Sequence, residues 1–270
     1  MIPRVTIIIA NYNYDAYISD AIKSAIDQNY AGPLSVCIVD DGSTDSSWEK
    51  IESFFSNTES DYLDDMKIIR GTDETGRVNL IGLKTRNGGA SVARNTGISF
   101  CLEDTDVYAI LDADDIYYPD KISTCIRKII EDDRVGVVYA DYAILNTITG
   151  AIYYESKLPY DKNVLEKECI VHSGALITKH AFESIKEDGH YYDPSLHGPA
   201  SQGFIGCSED YDLWIRMSEQ FMIVHVPEEL AIAREGDQNQ TRNVTQEIFT
   251  ENWKRIWNKK QARINAGSPQ

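Results

Sequence analysis

Val107-Tyr108-Ala109-Ile110-Leu111-Asp112-Ala113-Asp114-Asp115 is the stretch on which the fold turns. An apolar run, Val107 to Leu111, ends in three carboxylates within four positions. Such a run has the pattern of a strand buried in a sheet. Acidic groups at its carboxyl end stand where open α/β sheets hold their ligands. Carboxylates this close repel one another, so water, a basic side chain or a divalent cation must offset them. Asp112-x-Asp114 presents hard oxygen donors that suit Mg2+ or Mn2+. An acidic turn capping the helix that follows accounts for the same spacing equally well, and on spacing alone both readings stand.

Outward from this stretch, strands and helices alternate. Val5–Ala10 (VTIIIA) is a β-branched run of the kind buried on both faces. Ile18, Ala21, Ile22, Ala25 and Ile26 then recur at helical spacing. Leu34–Val39 predicts a second strand, and Trp48, Ile51 and Phe55 the face of a second helix. Met66–Ile69 and Leu80–Leu83 predict short strands around a polar loop, Gly71–Arg77. Ala90, Ala93, Gly97 and Phe100 mark another helix. After the Val107 strand, a helix starts at Tyr118-Pro119 and a strand covers Val135–Tyr139. This alternation predicts an α/β fold with a mostly parallel central sheet flanked by helices.

Beyond about Ala140 the pattern loosens. It predicts a hairpin over Tyr142–Ile152, a strand at Gly174–Ile177, a short helix at Lys179–Ile185 and a long loop over Asp188–Gly206. A helix over Glu209–Glu219, strands at Met222–Val226 and Leu230–Ala233, and a last helix over Val244–Arg263 complete the chain. Residues 1–243 are expected to form one domain, with a nucleotide-binding half (1–115) and a mixed acceptor half (116–243), followed by a C-terminal helix and tail (244–270). Trp253 and Trp257 on that helix would cover its own domain or, in a homo-oligomer, a second subunit; packing on its own domain is the simpler expectation.

The 270 residues carry a formal net charge of −17, with a pI near 4.6. Such a field repels nucleic acid and anionic lipid, so neither is expected as a partner. Five widely spaced cysteines without a Cys-x-x-Cys pair predict free thiols in a reducing, cytoplasmic setting. No apolar run approaches the roughly 20 residues of a membrane span. The five histidines show no metal-ligand spacing; His197 is a candidate substrate contact in its loop. The sequons at Asn239 and Asn243 are expected to be coincidental.

Three strand ends carry polar groups: Asn11 to Asn13, Asp40 with Asp41, and Asp112 to Asp115. In a parallel sheet these ends converge on one edge and predict a ligand site there. Asp40-Asp41-Gly42-Ser43 offers acceptors for a ribose or base, although a helix N-cap would account for Ser43 to Asp45. Asn87-Gly88-Gly89 followed by Arg94 places N–H donors and a cation at a helix start, where phosphate is attracted; a tight turn with Arg94 on a solvated face is the alternative. Glu209-Asp210 opens a helix, where carboxylates are favoured by the dipole, and either could serve as a general base. Tyr191 and Tyr192, in a predicted loop, are compatible with stacking on a sugar or base.

Six segments in order resemble the inverting GT-A glycosyltransferases of family 2. They are VTIIIANYN from Val5, VDDGSTD from Val39, NGGASVARNTGI from Asn87, LDADDIYYPDK from Leu111, SGALIT from Ser173 and EDYDLWIR from Glu209. The resemblance runs from about Pro3 to Arg242. It implies a GT-A, Rossmann-like fold and a transferase of the hexosyltransferase class that uses a nucleotide-sugar donor, with UDP-sugar favoured. The acceptor would be a carbohydrate or lipid-linked glycan, as in polysaccharide biosynthesis, and such an acceptor would bring the protein to the periphery of a membrane.

The resemblance also implies site residues. Ala10, Asn11, Tyr12, Asn13, Asp40, Asp41, Asn87 and Arg94 would line the nucleotide, with Asp41 and Asp40 at the base. Asp112, Ala113 and Asp114 match the DxD motif, with Asp114 the first and Asp112 the second ligand of Mn2+ or Mg2+. Asp210 matches the catalytic base, and Glu209 is the second choice. Many relatives carry a late histidine near the diphosphate; this chain has Ala233-Arg234-Glu235-Gly236-Asp237-Gln238 there, and Arg234 or Gln238 is its candidate replacement. A sugar nucleotidyltransferase would place a Gly-rich basic loop after the first strand, where this chain has Asn11-Tyr12-Asn13-Tyr14. A non-catalytic carbohydrate-binding protein would not need Asp112, Asp114 and Asp210 intact.

Overall fold

The β-branched runs form the strands they predict. The computed structural model describes residues 2–196, 208–236 and 245–267. In chain order the elements of the first half are β1 (Val5–Asn11), α1 (Ile18–Ile26), β2 (Leu34–Asp40), α2 (Ser47–Glu52), β3 (Ser56–Leu63), β4 (Met66–Thr72), β5 (Asn79–Lys84), α3 (Ala90–Phe100), β6 (Val107–Asp112) and β7 (Ile116–Tyr117). Then come α4 (Lys121–Glu131), β8 (Val135–Asn146), β9 (Ile152–Glu155), α5 (Lys162–Leu165), β10 (Leu176–Thr178), α6 (Lys179–Ser184), α7 (Glu209–Gln220), β11 (Met222–Glu235) and α8 (Gln246–Gly267).

Among the described residues the strands form one sheet in the order β3-β4-β5-β2-β1-β6-β10-β8-β11-β7, with β9 added to β8. Its centre, β5-β2-β1-β6, is parallel. β10 runs antiparallel between β6 and β8, while β8 and β11 are parallel to each other. Alternate side chains fill the two faces. Ile7, Ile9, Val36, Ile38 and Leu111 join one core cluster with α1 and α4. Ile8, Cys37, Val39, Ile110 and Tyr139 join the other, with α3 and α7. α3 lies close on the sheet because Gly97 faces it; a Cβ there would stand 3.1 Å from Ile8 and from Val39.

Several elements differ from the sequence expectation. β3 (SNTESDYL) pairs with β4 as an exposed edge hairpin, although its polar residues carry no strand alternation. Gly71 and Thr72 belong to β4, and the remaining polar turn has a structural role. The Asp73 carboxylate accepts the Val78 N–H at 2.7 Å, and Arg77 donates to the carbonyls of Gln28 and Ile26, closing the end of α1. α2 stops before Phe55. β8 is one strand of 12 residues that turns into β9 as the expected hairpin. The two late strands merge into β11, with irregular register between Val226 and Ile232, around Pro227. α8 packs on its own chain through the fully buried Ile256, whereas Trp253, expected to cover its own domain, is 38% exposed. His197, Cys207, Gln238, Asn239 and Asn243 lie outside the described residues. No helix among those described is long and apolar enough to cross a membrane.

Candidate active site

Strand register brings the three polar ends together. Asn11 is paired with Asp40 and Ala10 with Asp112 across β2-β1-β6. The Asn11 side chain donates to Asp40 Oδ2 at 2.9 Å and to Ser43 Oγ at 3.1 Å. Asp40 Oδ1 accepts the Ser43 N–H at 3.0 Å. Asp40 is fully buried, so its carboxylate braces the turn from within. Ser43 is not the cap of α2; its hydroxyl accepts the Asn13 N–H at 3.0 Å, and Asp45 Oδ1 accepts the Ser47 N–H. Ala10 and Tyr12 are half-buried and Asn13 exposed at the rim of this edge.

Asp41 holds the loop before α3. Its carboxylate accepts the N–H groups of Gly88 and Gly89, each at 2.8 Å, and the Asn87 amide at 3.2 Å. Burial pushes its pKa up to about 6 against those hydrogen bonds. Gly42 beside it has φ +75°, and a Cβ there would meet the Asn87 nitrogen at 2.8 Å. Only glycine takes that conformation so near another backbone without strain.

Arg94 is the hub of the opposite side. It is buried rather than solvated. Its Nη2 donates to Asp112 Oδ1 at 2.7 Å and its Nη1 to Glu209 Oε1 at 2.7 Å. Asp210 Oδ1 lies 3.6 Å from Nη1, and the Tyr192 ring sits 5.3 Å beneath the guanidinium. Burial would lower the Arg94 pKa, but Asp210, Asp112 and Glu209 outweigh it and raise it well above the ordinary value. Glu209 is 4% exposed and Asp210 is 23% exposed. The buried member of the pair is thus locked to Arg94, and its neighbour is the more open to solvent.

The acidic turn is electrostatically divided. Burial pushes the Asp112 pKa up, but Arg94 and the Ser173 hydroxyl, 2.9 Å from Oδ2, hold it below the usual carboxylate range. Asp114 is pushed up to about 7 by burial and by the charge of Asp112. Asp115 is raised well above its ordinary value, first by burial and then by Asp114 and Asp112; it accepts the Arg234 N–H at 3.0 Å. Ala113 is buried between them. Among the described residues no three His, Cys, Asp or Glu side chains form a complete cation cage. Two carboxylates at a strained like-charge pair nevertheless fit a cation that takes its other ligands from water and substrate phosphates.

Several contributors to the site have no local signal in the sequence. Ser173 stands in the SGALIT segment, and only its contact with Asp112 in the folded chain gives it a role. Tyr14 lies against the acidic turn, its pKa raised by burial and then by Asp114, Asp112 and Asp115. Tyr191 and Tyr192 are buried, not free to stack on a ligand, because Asn95 accepts both of their N–H groups and donates to the Tyr192 carbonyl. Arg234 does reach the site: its Nη1 donates to the Asp114 carbonyl at 3.0 Å, and Nη2 pairs with Asp20.

Comparison with known proteins agrees with this architecture. The family described as "Glycosyl transferase family 2" matches residues 6–173. The chain is similar to the chondroitin synthase of Pasteurella multocida strain Pm70, with 28% identity over 231 residues, 83% of this chain and 20% of that protein. It therefore spans about a fifth of that relative's length. It is also similar to the Escherichia coli UDP-Glc:alpha-D-GlcNAc-diphosphoundecaprenol beta-1,3-glucosyltransferase WfgD, with 29% identity over 214 residues, 78% of this chain and 68% of that one. Among solved structures, Staphylococcus aureus TarS residues 1–349 in complex with UDP-GlcNAc superposes with a TM-score of 0.64 over 90% of this chain and 61% of that one, at 14% identity. At that identity the likeness establishes the fold, which is GT-A.

Proposed function

This chain belongs to glycosyl transferase family 2, and from that premise we propose that it is an inverting transferase. In this reading it moves a sugar from a UDP-sugar to a hydroxyl of a carbohydrate or lipid-linked glycan. Residues 1–115 would hold the donor and 116–243 the acceptor. The observation that carries the reading is the pairing of Arg94 with Asp112 on one side and Glu209 on the other, which leaves Asp210 the accessible carboxylate beside the acidic turn.

Asp210 takes the proton from the acceptor hydroxyl. The oxygen attacks the anomeric carbon, and the bond to the nucleoside diphosphate breaks on the opposite face, so the configuration inverts. Glu209 keeps Arg94 beside Asp210. Asp41 shapes the base pocket with the Asn87–Gly89 loop, and Asp40 braces it, while Asn11, Tyr12 and Asn13 line its rim. Asp114, with Asp112, would hold Mn2+ or Mg2+, which when bound supplies Lewis-acid stabilisation to the departing diphosphate. Arg234 steadies the turn through the Asp114 carbonyl and Asp115, where the family resemblance implies a histidine. The acceptor named for WfgD supports a lipid-linked glycan as the substrate class, and the nucleotide sugar named in the TarS complex supports UDP.

A panel of UDP-, GDP- and other nucleotide sugars, screened by thermal shift with Mn2+ and with EDTA, tests this reading. A UDP-sugar should stabilise the protein in the presence of Mn2+ and release UDP when a glycan acceptor is added. No stabilisation by any nucleotide sugar, with or without Mn2+, would overturn it. Pyrophosphate release from a sugar phosphate and a nucleoside triphosphate would point instead to nucleotidyl transfer.

A further inference from the structure

We infer that Arg94 competes with the divalent cation for Asp112, so that cation binding hands the guanidinium over to Glu209 and Asp210. The inference rests on the proposed cation site at Asp112 and Asp114. Both oxygens of Asp112 already have partners: Arg94 Nη2 at 2.7 Å on Oδ1 and the Ser173 hydroxyl at 2.9 Å on Oδ2. The hydroxyl is neutral and leaves room for a cation on the same carboxylate. The guanidinium is not neutral, and it is buried, so its repulsion of a divalent ion is only weakly screened.

Arg94 has somewhere to go. Its other terminal nitrogen is already 2.7 Å from Glu209 and 3.6 Å from Asp210. Its Nε has no hydrogen-bond partner among the described residues, so the group is not locked by a full set of bonds. The Tyr192 ring beneath it tolerates small shifts of a cation across its face. A cation at Asp112 therefore strengthens the attachment of Arg94 to the first turn of α7, which carries the proposed base. Donor-side binding would set the acceptor side, and Arg94 is a positioning residue that links the two.

Titration of Mn2+ alone, by calorimetry on the full chain without nucleotide, tests this. Arg94→Gln should bind Mn2+ more tightly than the wild type, by about tenfold. Glu209→Gln should bind it several-fold more weakly, because Arg94 then has Asp112 as its stronger partner. A merely structural role for Arg94 would weaken Mn2+ binding on its removal. Circular dichroism checks that each variant is folded; if Arg94→Gln is not, Glu209→Gln decides, and unchanged or tighter binding overturns the inference. Equal affinity in all three folded proteins overturns it while leaving the cation site intact. No Mn2+ uptake by any of them, with or without UDP, removes the cation site itself.

Discussion

Lys259, on α8, places its ammonium 3.3 Å from the carboxylate of Asp212, two residues beyond Asp210 on α7. Asp212 is fully buried and is also held by Arg216 Nε at 2.8 Å. The same ammonium lies 3.0 Å from Asp193 and 3.1 Å from Glu187. The C-terminal helix thereby ties α7 to the segment that carries Tyr192 under Arg94.

Lys259→Ala should therefore destabilise the protein by about 1–2 kcal/mol, less than a fully buried pair because the lysine is partly solvated. Urea unfolding measures this. Turnover should fall with it, and Lys259→Arg should retain most of both.

The raised pKa of Asp41 predicts the sign of a pH dependence in stability. Its folded pKa, about 6, lies above the ordinary carboxylate value. The folded state thus holds this proton more tightly than the unfolded chain, and the contribution is full below pH ~4 and lost as pH rises through about 6. Relative to the wild type, Asp41→Asn should gain stability as the pH is raised from 4 to 7. Denaturation curves at both ends of that range check it; a difference independent of pH would refute it.

Gly42→Ala should cost about 1–3 kcal/mol, because φ +75° and the 2.8 Å approach to the Asn87 nitrogen both oppose a Cβ. The same change should weaken UDP binding through the displaced Asn87–Gly89 loop. Thermal shift with and without UDP separates the two effects.

What could be read from the chain follows burial. β1, β2 and β6 declare themselves because strands buried on both faces concentrate apolar residues, and the carboxylates at their ends stand out against that background. β3 is exposed along nearly its whole length, so no alternation was imposed on it. The insertion of β10 between β6 and β8 depends on non-local pairing that no local pattern encodes. Within the site, Asp40, Asp41, Asp112 and Asp114 were legible as residue types at strand ends. The burial of Arg94 was not, because its partner Glu209 is 115 positions away and only the folded chain brings them together. Ser173, 61 positions from Asp112, was hidden for the same reason.

The assignment of Asp210 as the base is tested most directly by Asp210→Asn, assayed in parallel for UDP-sugar binding with Mn2+ and for transfer to acceptor. The amide keeps the size of the side chain but cannot take the hydroxyl proton. Donor affinity should stay within about twofold of the wild type, while transfer should fall by at least about a hundredfold. Normal turnover by this variant would contradict the account.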